Sequence, residues 1–188
     1  MKVSLIAIAL AALPGAVLVA GCASPDVPVV AARNLQDGEV PLPAGYAAWP
    51  KFLTDIQRPD LKQVRDIYVN PTGLSAKAGQ PLAYGTTYVM ENYATEVDAA
   101  GQPRVGADGK LIKGRLLRVL VMSKGPGFGR AAPAEQKNGE WAYASYDAAG
   151  MKTADALGPC RTCHLPQAKN DFVFRLDEFL QARSAARN

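Results

Sequence analysis

The chain has one histidine, three cysteines and no block of five or six like charges, and each scarcity closes off some chemistry. With His164 as the only histidine, no metal can be held between two imidazoles. Cys160 and Cys163 have no second cysteine pair to work with, so a structural zinc site would need a carboxylate beside them and His164. The 21 basic and 17 acidic residues leave a formal charge of +4 spread along the chain. That balance gives nucleic-acid binding no support, and it suits docking of an acidic redox partner or rest near anionic headgroups. No internal repeat recurs at a fixed period, and only the alanine-rich C-terminal end approaches low complexity.

What the chain does have is the run Cys160-Arg161-Thr162-Cys163-His164. Cys-x-x-Cys-His is the attachment signature of c-type haem. Two cysteines three apart can both reach the vinyl groups along one porphyrin edge, and the next histidine falls beneath the iron. A redox dithiol or half of a zinc site are the other uses of a Cys-x-x-Cys pair. A redox pair does not require the histidine that follows, and zinc lacks its fourth ligand. The motif therefore points to one covalent haem c, with His164 on the metal.

The N-terminus supplies a compartment for it. Lys2 is followed by a charge-free apolar stretch from Val3 to Ala20, the pattern of an export signal. The stretch ends in Val19-Ala20-Gly21-Cys22, which resembles the bacterial lipobox. Residues 1–21 are then a lipoprotein signal peptide and Cys22 is acylated. Acyl chains contribute about 0.8 kcal/mol per buried methylene, so several together make an essentially permanent anchor. Ala23 in place of Asp favours the outer membrane, by resemblance to sorted lipoproteins, and puts the chain on the periplasmic side. An ordinary cleaved signal peptide, with Cys22 left in the tail, is the alternative. Residues 22–44 carry Pro25, Pro28, Pro41 and Pro43 among small and polar residues and read as a tether.

Residues 45–188 are enough for one domain with a real core. A short helix is expected around Ala47 to Ile56, where Trp49, Phe52 and Ile56 recur at helical spacing. Strands are expected over Gln63 to Val69, Thr86 to Thr95, Arg115 to Ser123 and Glu140 to Tyr146, separated by Gly-, Asp- and Pro-rich turns. The third of these is almost continuously Leu, Val and Met, as in a strand buried on both faces. An amphipathic helix is expected from Phe172 to Arg187, closing over the haem side. The fold class is α+β: an antiparallel sheet of four or five strands with a few flanking helices and the haem motif near its C-terminal end. All-helical class I cytochromes, with the motif near the start, and four-helix cytochromes c′ do not fit this order.

With His164 on one face of the iron, bis-histidine ligation is impossible. The sixth position falls to Met90, Met122, Met151, a lysine, water or hydroxide, or stays open. Met90 and Met122 lie in predicted strands, where methionine is more often core filling than ligand. An open position binds small gases such as nitric oxide, whereas a His/Met pair moves electrons.

From about Tyr46 to Arg183 the chain resembles the cytochrome P-460 and cytochrome c′-beta family. The resemblance is carried by Tyr46-x-x-Trp49-Pro50, Val64 to Asn70, Tyr84-Gly85-Thr86, Lys124 to Gly129, Asn138 to Tyr143, and the haem motif followed by Asp171-Phe172-Val173-Phe174. It implies a β-rich, dimeric haem domain that takes a small gaseous or nitrogenous ligand. P-460 members carry a lysine that crosslinks to the haem and goes with hydroxylamine oxidation. Met90 stands where that lysine aligns, which moves the resemblance toward the gas-binding c′-beta side. Arg65 matches a family arginine of the distal pocket, where a cation can hydrogen-bond a bound diatomic or oxyanion; a surface arginine is the alternative. Phe128 is a candidate apolar cap or a residue packed under its own turn. Asp155 is a candidate acid/base group of the pocket or a cap for the helix leading into the motif. The run Gly125 to Gly129 matches neither Walker A nor G-x-G-x-x-G and reads as a proline-fixed turn.

Overall fold

The structure is a computed structural model and describes residues 34–185. The expected signal peptide, Cys22, the first part of the tether and the last residues of the expected C-terminal helix lie outside them. Five strands form one antiparallel sheet in the order of the sequence: β1 Lys51–Arg58, β2 Gln63–Val69, β3 Thr87–Thr95, β4 Lys113–Lys124 and β5 Trp141–Asp147. Three α-helices accompany it: α1 Pro71–Leu74, α2 Gly158–His164 and α3 Leu176–Ala185. The α+β reading, dominated by an antiparallel sheet, holds. None of the described helices is long and apolar enough to cross a membrane.

Strand alternation divides the core in two. Along β2 and β3 the pairs Ile67 with Met90 and Val69 with Tyr88 face one side, while Tyr68 with Val89 and Asp66 with Glu91 face the other. β4 and β5 continue both series, with Met122 opposite Tyr143 on the first face and Val121 opposite Ala144 on the second. On the first face Phe52, Val69, Tyr88, Met122, Trp141 and Tyr143 pack with Val173, Leu176 and Leu180 of the C-terminal segment. On the second, Val89, Val119, Val121, Ala142, Ala144 and Tyr146 are covered by Val40, Leu42, Tyr46 and Trp49. The alternation of aromatic and small residues in β5 thus sends Trp141 and Tyr143 to one core and Ala142 and Ala144 to the other.

Three expectations are corrected. The helix expected over Ala47 to Ile56 is a single 3-10 turn, Tyr46–Ala48, followed by strand β1. Pro50 separates them, and β1 carries two irregularities, between Lys51 and Leu53 and between Leu53 and Ile56, with Asp55 at φ 53°. Each inserts a residue into the ladder, so Phe52, Leu53 and Ile56 all reach the first face in a pattern that imitates a helical period. The C-terminal helix begins at Leu176 rather than Phe172, because Asp171, Phe172 and Arg175 have φ of 51°, 63° and 58°, which a right-handed helix does not admit. The tether is also shorter than expected. Val40 is 2% exposed, the Gly38 amide donates to the Tyr143 carbonyl at 2.7 Å, and the Tyr146 hydroxyl donates to the Val40 carbonyl at 2.6 Å. β5 is an edge strand with unpaired backbone groups, and the segment around Asp37 and Gly38 supplies partners for them.

Candidate functional site

The first face of the sheet and helix α2 enclose a cavity of about 480 Å³. Its floor is apolar, with Ile67, Met90, Leu120 and Met122 from three neighbouring strands and Phe52, Leu53 and Ile56 from β1. Its opposite wall is Pro159, Cys160, Cys163 and His164 from α2, with Val173, Phe174 and Arg175 at the rim. The motif is helical, which gives Cys160 and His164, four apart, a common face. Cys160 and Cys163 are not bonded to each other. Among the described residues no three Cys, His, Asp or Glu side chains converge as a metal cluster, so the three groups of the motif line a wall instead of closing on one point as zinc would need.

The histidine is held on three sides. Its Nδ1 lies 2.7 Å from the Phe172 carbonyl, which can only accept, so Nδ1 carries the proton and Nε2 keeps its lone pair. The Tyr143 and Phe174 rings lie 5.5 Å and 5.1 Å from the imidazole. Burial lowers the pKa of His164 against the opposing pull of the Phe172 carbonyl, which favours the neutral, ligating imidazole. The left-handed backbone at Asp171 and Phe172 is what turns that carbonyl toward His164, and Asp171 is fastened in turn. Its carbonyl accepts from Trp141 Nε1 at 3.0 Å, and its carboxylate pairs with buried Lys124 and accepts the Leu82 amide at 2.8 Å.

A guanidinium enters the cavity from β2. Arg65 gives one nitrogen to Gln63 at 3.2 Å, has no carboxylate partner, and its buried Nε has no partner among the described residues. Burial, and then neighbouring Arg58, lower its pKa. Arg58 and Arg175 also line the cavity, but each is paired with an exposed acid, Asp60 and Glu178.

The structure brings Cys160, Cys163, His164, Arg65 and Met90 together around this cavity. Met122 joins them, whereas Met151 is 67% exposed and elsewhere. Phe128 is not a cap: it packs beneath its own turn against Gly125 and joins the second face of the sheet. Asp155 neither lines the cavity nor caps α2, whose first turn has no side-chain cap. It accepts hydrogen bonds from Ser145 at 2.7 Å and Thr153 at 2.9 Å and pairs with Arg118 at 3.3 Å, which together hold its carboxyl below the usual range.

Sequence reasoning missed the supports of α2. Arg161 is 1% exposed. Its Nε and Nη2 bind the two oxygens of Asp37 at 2.6 and 2.8 Å, Nη1 binds Asn138 Oδ1 at 2.7 Å, and Nη2 also donates to the Trp141 carbonyl at 2.8 Å. Asn138 donates in turn to the Tyr143 hydroxyl at 2.7 Å. Only the Asn138 to Tyr143 stretch of the family resemblance hinted at this network.

A neutral imidazole with its outer nitrogen free, two unbonded thiols on the same wall and an apolar floor fit a flat, largely hydrophobic macrocycle carrying a metal. A five-stranded meander covered by such a C-terminal helix defines a β-sheet haem pocket. A family model for Cytochrome P460 matches residues 43–175, and the chain belongs to that family. It is accordingly a cytochrome that takes haem and its iron. No curated protein matches the chain.

Proposed function

We propose that this is an exported haem c protein in which Cys160 and Cys163 form the two thioethers, His164 Nε2 ligates the iron, and the opposite position is open to nitric oxide or a similar small ligand. The observation that carries the reading is the composition of the cavity floor. Facing the motif are Ile67, Met90, Leu120 and Met122, and no lysine among the described residues lines the cavity. When bound there, haem supplies an iron that can take a diatomic ligand or exchange one electron. The chain's own part is to fix the imidazole through the Phe172 carbonyl, exclude water with the apolar floor, and present Arg65 as a hydrogen-bond donor with no competing carboxylate. Cys22 anchors the domain on the periplasmic side of the outer membrane, and an acidic redox partner supplies or removes electrons. Hydroxylamine oxidation of the P-460 kind loses its crosslinking lysine, since Met90 occupies the floor.

A second reading has its own observation. Met90 and Met122 both face the cavity, and either thioether on the iron would make a His/Met electron carrier. The anaerobically reduced optical spectrum, taken before and after adding nitric oxide, separates the two. A broad high-spin spectrum that moves with nitric oxide is expected. Sharp low-spin bands indifferent to the gas, and lost in Met90→Ala or Met122→Ala, would replace it with the carrier. A strongly red-shifted band would return the protein to the crosslinked, hydroxylamine-oxidising type. Haem that leaves the protein on acid extraction would refute the thioethers.

A further inference from the structure

We propose that the buried Arg161–Asp37 ion pair sets the electron affinity of the haem on His164, so that the iron changes oxidation state beside a compensated charge instead of a free one. The inference rests on the haem reading above.

Arg161 is the residue directly after the first cysteine of the motif. Attachment asks nothing of that position except that it fit, yet here it carries a guanidinium that is 1% exposed. Its carbon lies 5.3 Å from the Tyr143 ring centre, and the same ring lies 5.5 Å from the imidazole of His164. The charge is therefore no more than about 11 Å from the imidazole that would hold the iron, with one buried aromatic side chain between them. Arginine keeps its proton at any working pH, so burial cannot relieve the charge by neutralising it. Among the described residues only Asp37 compensates it, and Asp37 comes from the distant N-terminal segment.

Adding an electron to iron is favoured by a nearby positive charge and opposed by a nearby negative one. A unit charge at this distance, with an effective dielectric of about 20, changes the ratio of reduced to oxidised protein by about tenfold at a fixed applied potential. The two partners are not equally placed. The Arg161 side chain is 1% exposed and that of Asp37 is 25% exposed, so water screens a solitary Asp37 better than a solitary Arg161.

The network also fastens α2 to β5, the loop before it and the N-terminal segment, and a purely mechanical role is the competing account. Charge tells them apart. Spectroelectrochemical titration of the haem-loaded protein is the test, with Asp37→Asn, Arg161→Gln, the double variant and Arg161→Lys. Asp37→Asn is nearly isosteric and is expected to raise the midpoint, making the reduced form about tenfold more favoured at the original midpoint. Arg161→Gln is expected to lower the midpoint, by less, and the double variant to return close to the starting value. Arg161→Lys keeps the charge without the fork and is expected to lower the melting temperature while leaving the midpoint nearly in place. Single variants that move the midpoint in the same direction, or leave it unmoved with haem content intact, would overturn the proposal in favour of the mechanical role. A wild-type chain that attaches no haem would bring down the haem reading and this inference with it, and haem content measured before titration identifies that case.

Discussion

At the scale of single residues, the site depends on which polar groups are already satisfied. Arg58 and Arg175 reach the cavity with their charge engaged by Asp60 and Glu178, and Arg65 reaches it without a carboxylate. A charged donor with no carboxylate partner contributes about 1.5–3 kcal/mol to an acceptor that arrives beside it. Arg65→Leu is therefore expected to speed ligand dissociation roughly ten- to a hundredfold, measured by stopped-flow displacement, with little change in melting temperature. The reverse pattern, lost stability with unchanged dissociation, would make Arg65 a packing residue. Gly129 is a residue of another kind. It sits at φ 64°, and a Cβ there would run into the Arg161 guanidinium and the Trp141 carbonyl. Gly129→Ala is expected to cost more than about 2 kcal/mol in denaturant unfolding, from left-handed strain together with displacement of the buried guanidinium.

At the scale of elements, Asp66 on β2 ties the sheet together from its second face. It accepts from the Asp55 amide at 2.9 Å, where β1 is irregular, and from Lys51 of β1 and Lys113 of β4 at 2.8 and 2.7 Å. Burial pushes its carboxyl up, but the Asp55 amide and the two lysines outweigh it and hold the pKa at about 2. A carboxyl lowered on folding stabilises the protein above its unfolded pKa of about 3.9, and that stability is lost as pH falls toward 2. Asp66→Asn is expected to lower unfolding free energy by about 2 kcal/mol at pH 7 and to flatten the acid limb of the stability curve between about pH 5 and 2. Equal acid limbs in the two proteins would assign the loss to some other carboxylate. The same region shows what pattern reading reaches. β2 to β5 each carry a local strand signal, alternation in β2 and β5, Thr, Tyr and Val in β3 and an almost continuous apolar run in β4, and their expected limits differ from those found by only a residue or two. β1 does not, because its two inserted residues bring Phe52, Leu53 and Ile56 to one face, and the information that makes it a strand lies in its partner. The late start of α3 is likewise set by the Phe172 carbonyl reaching back to His164, a tertiary contact with no local signature.

At the scale of the whole molecule, the Cys-x-x-Cys-His run can be read from the sequence because its signature is a local spacing, while the residues that hold its helix and histidine are spread along the chain, from Asp37 to Phe172. Arg65 was singled out only through family resemblance; Phe128 took the second of its two readings, packed under its own turn, and Asp155 took neither of its own, because a loop position does not state which side of the sheet it meets. Proline-rich composition around Pro41 and Pro43 reads as a tether, yet Asp37 reaches Arg161 and Val40 is buried against the second face. Removal of residues 1–33 and removal of residues 1–45 should thus have different consequences. A chain beginning at Asn34 keeps Asp37, Val40 and the contacts to Tyr143 and Tyr146. A chain beginning at Tyr46 uncovers the second core and leaves Arg161 charged, buried and without its carboxylate, a loss of about 3–5 kcal/mol from the broken pair alone. Against a total stability of about 5–15 kcal/mol, that is enough to leave much of the shorter chain unfolded. Circular dichroism melts of the two truncated chains, produced with the same export signal so that haem attachment is open to both, measure the difference. The chain from Asn34 is expected to melt like the full domain, and the chain from Tyr46 to lose its cooperative transition or to melt at least 10 °C lower. Equal melting of the two would return residues 34–44 to the tether that their composition describes.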